Sequence, residues 1–216
     1  MKILLSHKID YYCRMSEKKL HWDKVYTTKQ PHEVSWTQEV PQTSLDFINS
    51  FQLEKTAGII DIGGGDSLLV DFLLDQGYRN ITVLDISEAA LEKAKERLGS
   101  KAEAVKWVVS DITDFEPAES YDIWHDRATF HFLIRPEQIE KYLDTAAKCV
   151  KGYMAIGTFS KNGPEKCSGL EIRQYSEEEL TLLFSPDFQK LNGVTEDHIT
   201  PFHTVQNFVF CSFKRR

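Results

Sequence analysis

The spacing of apolar positions changes period repeatedly along this chain, and from residue 57 onward the changes alternate in a regular way. Ala57 to Ile62 is a short apolar run, which predicts a buried strand. Ser67 to Gln76 carries Leu68, Leu69, Phe72 and Leu73 on one helical face, with Gly77 as a natural stop. Asn80 to Asp85 predicts a second strand. Ser87 is placed to cap the next helix, whose stripe of Leu91, Ala94 and Leu98 ends before Gly99. Val105, Trp107 and Val109 alternate as a third strand, and Tyr121 to Trp124 reads as a fourth. Pro136 opens a helix with Ile139, Tyr142, Leu143, Ala146 and Val150 as its stripe and Gly152 as its close. Tyr153 to Phe159 predicts a fifth strand. Ser176 and Glu179 form a capping box before Leu180, Leu183 and Phe184. Two strand-like runs, Phe188 to Ile199 and Thr204 to Lys214, follow.

Such alternation predicts an α/β fold: a mostly parallel, doubly wound sheet with helices on both faces. The closing pair adds antiparallel character at one edge. Residues 1–40 are mixed, with Trp22, Tyr26 and Trp36 among charges and prolines, and read as an N-terminal extension. They form either a lid over a ligand or a helix packed on the sheet edge. Residues 41–216 read as the main domain, a length that can bury a sizeable core.

The net charge of −7 speaks against sequence-independent nucleic-acid binding, which needs clustered Lys and Arg. The one dense basic cluster, Lys214-Arg215-Arg216, is short. None of Cys13, Cys149, Cys167 and Cys211 pairs in a C-x-x-C spacing, so no zinc site is expected, and their low density suits a reducing compartment. The apolar run beginning at Met1 is too short for a signal peptide and no long apolar stretch follows. A cytoplasmic protein without a membrane partner is the expectation.

The chemistry centres on Asp61-Ile62-Gly63-Gly64-Gly65-Asp66-Ser67, between a predicted strand and a predicted helix. Glycines there allow a tight turn and close approach of a ligand; an ordinary βα loop is the plain alternative. A dinucleotide fingerprint needs a third glycine where Leu68 stands, so that pattern fails. Asp85 and Asp111 end the second and third strands, where a carboxylate can accept ribose hydroxyls, or where an acid simply closes a turn.

Asp61-x-Gly63-x-Gly65 with acids after the next two strands resembles the class I S-adenosylmethionine-dependent methyltransferases, over roughly residues 57 to 160. His125-Asp126-Arg127-Ala128-Thr129-Phe130-His131-Phe132-Leu133 is similar to the segment after strand four in small bacterial members of that superfamily. The resemblance implies a Rossmann-like seven-stranded sheet and S-adenosyl-L-methionine as cofactor. It implies cofactor contacts at Asp61, Gly63, Gly64, Gly65, Asp85, Ile86 and His125, with Asp111 on the adenine amino group and the Ile112 N–H on a ring nitrogen. Ser67 stands where the family often has a further glycine.

Methyl transfer from a sulfonium chiefly requires alignment, with a base only where the nucleophile must lose a proton. His125, Asp126 and His131 are the candidates for such a base; pocket lining, or packing in a short helix for His131, is the alternative. A metal site from these three lacks a supporting pattern. The Gly- and Pro-containing loop from Lys161 to Tyr175 reads as a substrate-side flap in which Arg173 either holds an anion or faces solvent. No Asn-Pro-Pro-Tyr or Asp-Pro-Pro-Tyr tetrapeptide follows strand four, which again weighs against a nucleic-acid acceptor. The expected acceptor is a small molecule, with a protein lysine as the alternative. Cofactor binding without turnover and a nicotinamide-dependent reductase are the rivals of other classes.

Overall fold

The computed structural model describes residues 17–216. The N-terminal apolar run and Cys13 lie outside them. Nine strands are present among the described residues: β1 (Gly58–Ile62), β2 (Asn80–Asp85), β3 (Val105–Val109), β4 (Tyr121–Arg127), β5 (Val150–Phe159), β6 (Lys166–Cys167), β7 (Leu170–Glu171), β8 (Phe188–Ile199) and β9 (Val205–Arg215). The helices are α1 (17–28), α2 (Gln42–Ser50), α3 (Leu69–Asp75), α4 (Glu88–Leu98), α5 (Pro136–Cys149) and α6 (Glu177–Phe184). Seven strands form one sheet in the order β3-β2-β1-β4-β5-β9-β8. The first five are parallel, and β9 runs antiparallel to both β5 and β8. This is the expected Rossmann-like sheet with its antiparallel edge pair.

The sheet is covered on both faces because its central strands are apolar on both. Ile60, Trp124 and Ile156 face α5 and α6 through Tyr142, Ala146, Leu180 and Phe184. Ile59, Val83 and Ile123 face α2, α3 and α4 through Ile48, Leu73 and Leu91. Ser87 caps α4 by accepting the Ala90 N–H, and Ser176 and Glu179 make the expected reciprocal cap on α6.

Three expectations need correction. Gly152 does not close α5: the helix ends at Cys149 and passes straight into β5, where a Cβ on Gly152 would lie 2.4 Å from the Asp122 carbonyl oxygen. Val150, counted in the helical stripe, is the first buried residue of that strand. And β4 continues three residues past Trp124, so His125, Asp126 and Arg127 are strand residues. Among the described residues no helix is long and apolar enough to cross a membrane.

Candidate active site

Parallel strands end on one edge of the sheet, and β1, flanked by β2 and β4, is where the winding direction reverses. A cavity of about 860 Å³ opens there, large for a small-molecule site. Gly63, Gly64, Asp85, Ile86, Asp111, Ile112 and His125 line it. Asp61, Gly65 and Asp126 do not reach its wall.

The glycine turn is built by its own packing. The Gly63 and Gly64 N–H groups donate to the Leu84 carbonyl at 2.7 and 3.1 Å, tying the turn to the end of β2. Gly63 and Gly65 hold φ of +65° and +49°. A Cβ on Gly63 would lie 1.8 Å from Thr129 Oγ1, and one on Gly64 2.6 Å from Asp61 Oδ2. Packing against the protein's own atoms is thus one reason for glycine at both positions.

Asp85 is buried at the cavity wall. Its Oδ1 accepts the Ser87 N–H at 2.7 Å. Burial pushes its carboxyl up to about 7; the Ser87 and Gly65 N–H groups oppose this, and the nearby charges of Asp61 and Asp66 add to it. Asp85 thus places a buried carboxylate on the cavity wall, where a vicinal diol can donate to it. Asp111 caps the turn after β3, accepting the Thr113 N–H and hydroxyl at 2.8 Å each.

His125 and Asp126 point to opposite faces, as neighbouring strand residues must. His125 Nδ1 lies 2.6 Å from Asp61 Oδ1 and its Nε2 lies 2.8 Å from Ser44 Oγ, so both ring nitrogens are engaged. Those bonds join β1, β4 and α2. Asp126 faces away from the cavity. It accepts the Thr129 and Phe130 N–H groups and the Tyr142 hydroxyl, which in turn accepts the Trp124 indole N–H. Burial raises its carboxyl to about 6. Asp126 therefore shapes the turn after β4, and a place beside the cavity is not what the structure gives it. His131 is buried against Phe159, which with the nearby Arg127 charge pushes it down to about 3, and it too lies off the cavity wall.

The helix 17–28 and the segment 31–41 cover the cavity, with Trp22, Tyr26 and Trp36 in mutual edge and tilted contact on its wall. The helix is held by Asp23, which accepts the Ser87 hydroxyl at 2.8 Å, and by His21 against Ser168 at 3.2 Å. Of the 161–175 loop, which folds partly into the β6–β7 hairpin, Cys167 reaches the cavity. Arg173 is exposed and stacks over Tyr175, away from it. Sequence reasoning did not single out Ser44, Arg127, Thr129 or His198 as parts of this wall. A buried polar group in a strand leaves no periodic signal of its partner. Among the described residues no cluster of three or more His, Cys, Asp or Glu could hold a metal ion.

Residues 59–152 match a family model described as a methyltransferase domain. The chain is 30% identical over 110 residues to the malonyl-[acyl-carrier protein] O-methyltransferase 2 of Ilyobacter polytropus, covering 50% of this chain but only 42% of that protein. It is 26% identical over 198 residues to the EEF1A lysine methyltransferase 2 of Danio rerio, covering 84% of each. The fold is shared with the 1,6-didemethyltoxoflavin-N1-methyltransferase of Burkholderia thailandensis, solved with 1,6-didemethyltoxoflavin and S-adenosylhomocysteine bound. That likeness has a TM-score of 0.68 at 18% identity and covers 97% of this chain and 89% of the other.

Proposed function

We propose that the chain is a class I S-adenosylmethionine-dependent methyltransferase and that it transfers the sulfonium methyl group to a small-molecule acceptor, a reading the methyltransferase-domain match supports. The observation that carries the reading is the buried Asp85 carboxylate on the wall of a cavity that also holds Asp111 and the Gly63–Gly64 turn. A nucleoside fits this donor and acceptor set. Asp85 takes the ribose hydroxyls, Asp111 the adenine amino group, the Ile112 N–H a ring nitrogen, and Ile86 and the glycine turn complete the contact.

When bound, the cofactor supplies an electrophilic methyl group whose sulfur is a ready leaving group. The protein's task is alignment and exclusion of water. Trp22, Tyr26 and Trp36 serve as the cover, so residues 17–40 of the extension act as a lid on the 41–216 domain. His125, with both nitrogens engaged, is a positioning residue that fixes α2 and the β1 turn. Asp126 has no direct contact with the reacting groups.

A cavity so covered supports a small acceptor. The relative named for a lysine acceptor, matched over 84% of both chains, supports a protein side chain as the second reading. The acidic net charge supports either over nucleic acid, and the buried free thiols of Cys149, Cys167 and Cys211 suit the cytoplasm.

Calorimetry tests the cofactor: S-adenosylhomocysteine should bind and NADH should not, and the reverse result overturns the reading. Radiolabelled methyl transfer into size-fractionated extract then separates metabolite from protein acceptors. Binding without transfer to any fraction would leave a cofactor-binding protein without turnover.

A further inference from the structure

At the end of β4, Arg127 brings a cation into the cavity wall and leaves it without a countercharge. Its Nη1 donates to the Trp36 carbonyl at 3.0 Å, and its guanidinium lies 4.8 Å over the Phe208 ring. Nε and Nη2 are shielded from solvent and have no hydrogen-bond partner among the described residues. The two acids whose charge it feels are committed elsewhere: Glu196 accepts from the Thr43 hydroxyl and Asp61 pairs with His125. Burial pulls the guanidinium down to about 10, where it remains charged at neutral pH. Burial, reinforced by the Arg127 charge, lowers both nearby histidines, His131 and His198. A buried cation lacking both an ion pair and two of its hydrogen bonds is costly unless a ligand completes it.

We propose that Arg127 is an anion-recognition residue and that the ligand it completes itself with is a carboxylate on the methyl acceptor. The inference rests on the methyltransferase reading for the word acceptor, and on the structure for the carboxylate. A planar guanidinium with two adjacent free N–H groups matches a carboxylate by paired hydrogen bonds. Presenting them to a ligand in the cavity requires the side chain to swing from this position, since neither nitrogen is solvent-accessible there. Position favours the acceptor over the nucleoside. Asp111 follows β3, three strands from β4 in the sheet, or roughly 14 Å at about 4.8 Å per strand. Near Arg127 the wall comes instead from Trp36, Cys167 and His198, all outside the matched stretch 59–152. Such added segments are where substrate preference is set on a shared fold. The other source of a carboxylate is the amino-acid end of the cofactor, and the experiment separates the two.

The test uses the full chain and Arg127→Gln and Arg127→Lys variants, with folding checked by circular dichroism. Calorimetry is run with S-adenosylhomocysteine, with 5′-methylthioadenosine, which lacks the amino-acid end, and with benzoate against its neutral isostere benzamide on protein saturated with S-adenosylhomocysteine. The expected result is benzoate at least tenfold tighter than benzamide on the wild type. That preference should be lost in the Gln variant and reduced in the Lys variant, with S-adenosylhomocysteine affinity changed less than twofold. Weaker S-adenosylhomocysteine with unchanged 5′-methylthioadenosine would assign Arg127 to the cofactor and overturn the proposal. So would a wild type that does not distinguish benzoate from benzamide. Failure of the wild type to bind S-adenosylhomocysteine at all would instead remove the methyltransferase reading.

Discussion

Replacing Asp85 with asparagine should stabilise the ligand-free protein while weakening cofactor binding. The carboxyl is raised from 3.8 to about 7, chiefly by burial. A group whose folded value lies above its unfolded one binds its proton more tightly in the native state. Its effect is absent below about pH 4, grows as a destabilisation as the pH rises, and is complete above about pH 7. At about 1.36 kcal/mol per unit, a shift of roughly three units corresponds to on the order of 4 kcal/mol at pH 8. Asparagine removes the charge and keeps an oxygen that can still accept the Ser87 N–H. The difference in unfolding free energy between Asp85→Asn and wild type should therefore be small at pH 4 and reach a few kcal/mol in favour of the variant by pH 8. Urea unfolding at several pH values reads it. At pH 8 the variant should bind S-adenosylhomocysteine weaker by about 1–3 kcal/mol, because a charged acceptor for the ribose hydroxyls is lost. Wild-type affinity should itself fall as the pH drops below about 7, since the protonated acid accepts less well. A variant that is less stable at pH 8 and binds S-adenosylhomocysteine normally would show that Asp85 only holds the turn before α4, and the argument from a buried carboxylate on the cavity wall would fail.

Further outcomes follow from the neighbouring residues. Gly63→Ala should lower the unfolding free energy by more than about 2 kcal/mol, because the added Cβ meets Thr129 Oγ1 at 1.8 Å at a positive φ; adding Thr129→Ala should recover part of it, and a neutral single variant would contradict the packing account. His125→Ala should cost about 2–4 kcal/mol by stranding the buried Asp61 carboxylate, and should lower cofactor affinity and turnover together. A stable variant with lost kcat and intact affinity would make His125 a base instead. Tyr142→Phe should destabilise by about 1–3 kcal/mol, since Asp126 and the Trp124 indole both lose a buried partner, while S-adenosylhomocysteine affinity stays within twofold; a large affinity loss would return Asp126 to the site.

How much of the site could be read in advance turns on where β4 ends. The apolar pattern stops at Trp124, so His125 and Asp126 read as loop residues free to reach a ligand together. Three more strand residues, paired with β1 and β5, impose alternation. His125 and Arg127 go to one face and Asp126 to the other, which separates two residues the sequence had joined. No local signal marks those three positions as strand, because pairing with β1 and β5 supplies the hydrogen bonds that keep them extended. The glycine turn shows the same division. Its place between strand and helix was legible, but its reason lies, beyond the adjacent Asp61, in Thr129 and Tyr26, which come from two other parts of the chain.

The sequence by itself determined the order of strands and helices, the seven-stranded sheet with its antiparallel edge, and the two acids that end β2 and β3 at one rim. Apolar period and capping residues act over a few positions, and parallel strands joined by helices have little choice of arrangement. Only the tertiary structure decided which polar side chains meet there. It brought Ser44 to His125, laid Trp22, Tyr26 and Trp36 over the cavity, and set Arg127 on Phe208 with no carboxylate at hand. A repeating period tells which face of an element is buried, and not which distant residue will be buried against it. Partners across 81 or 91 positions of chain are chosen by packing of the whole domain.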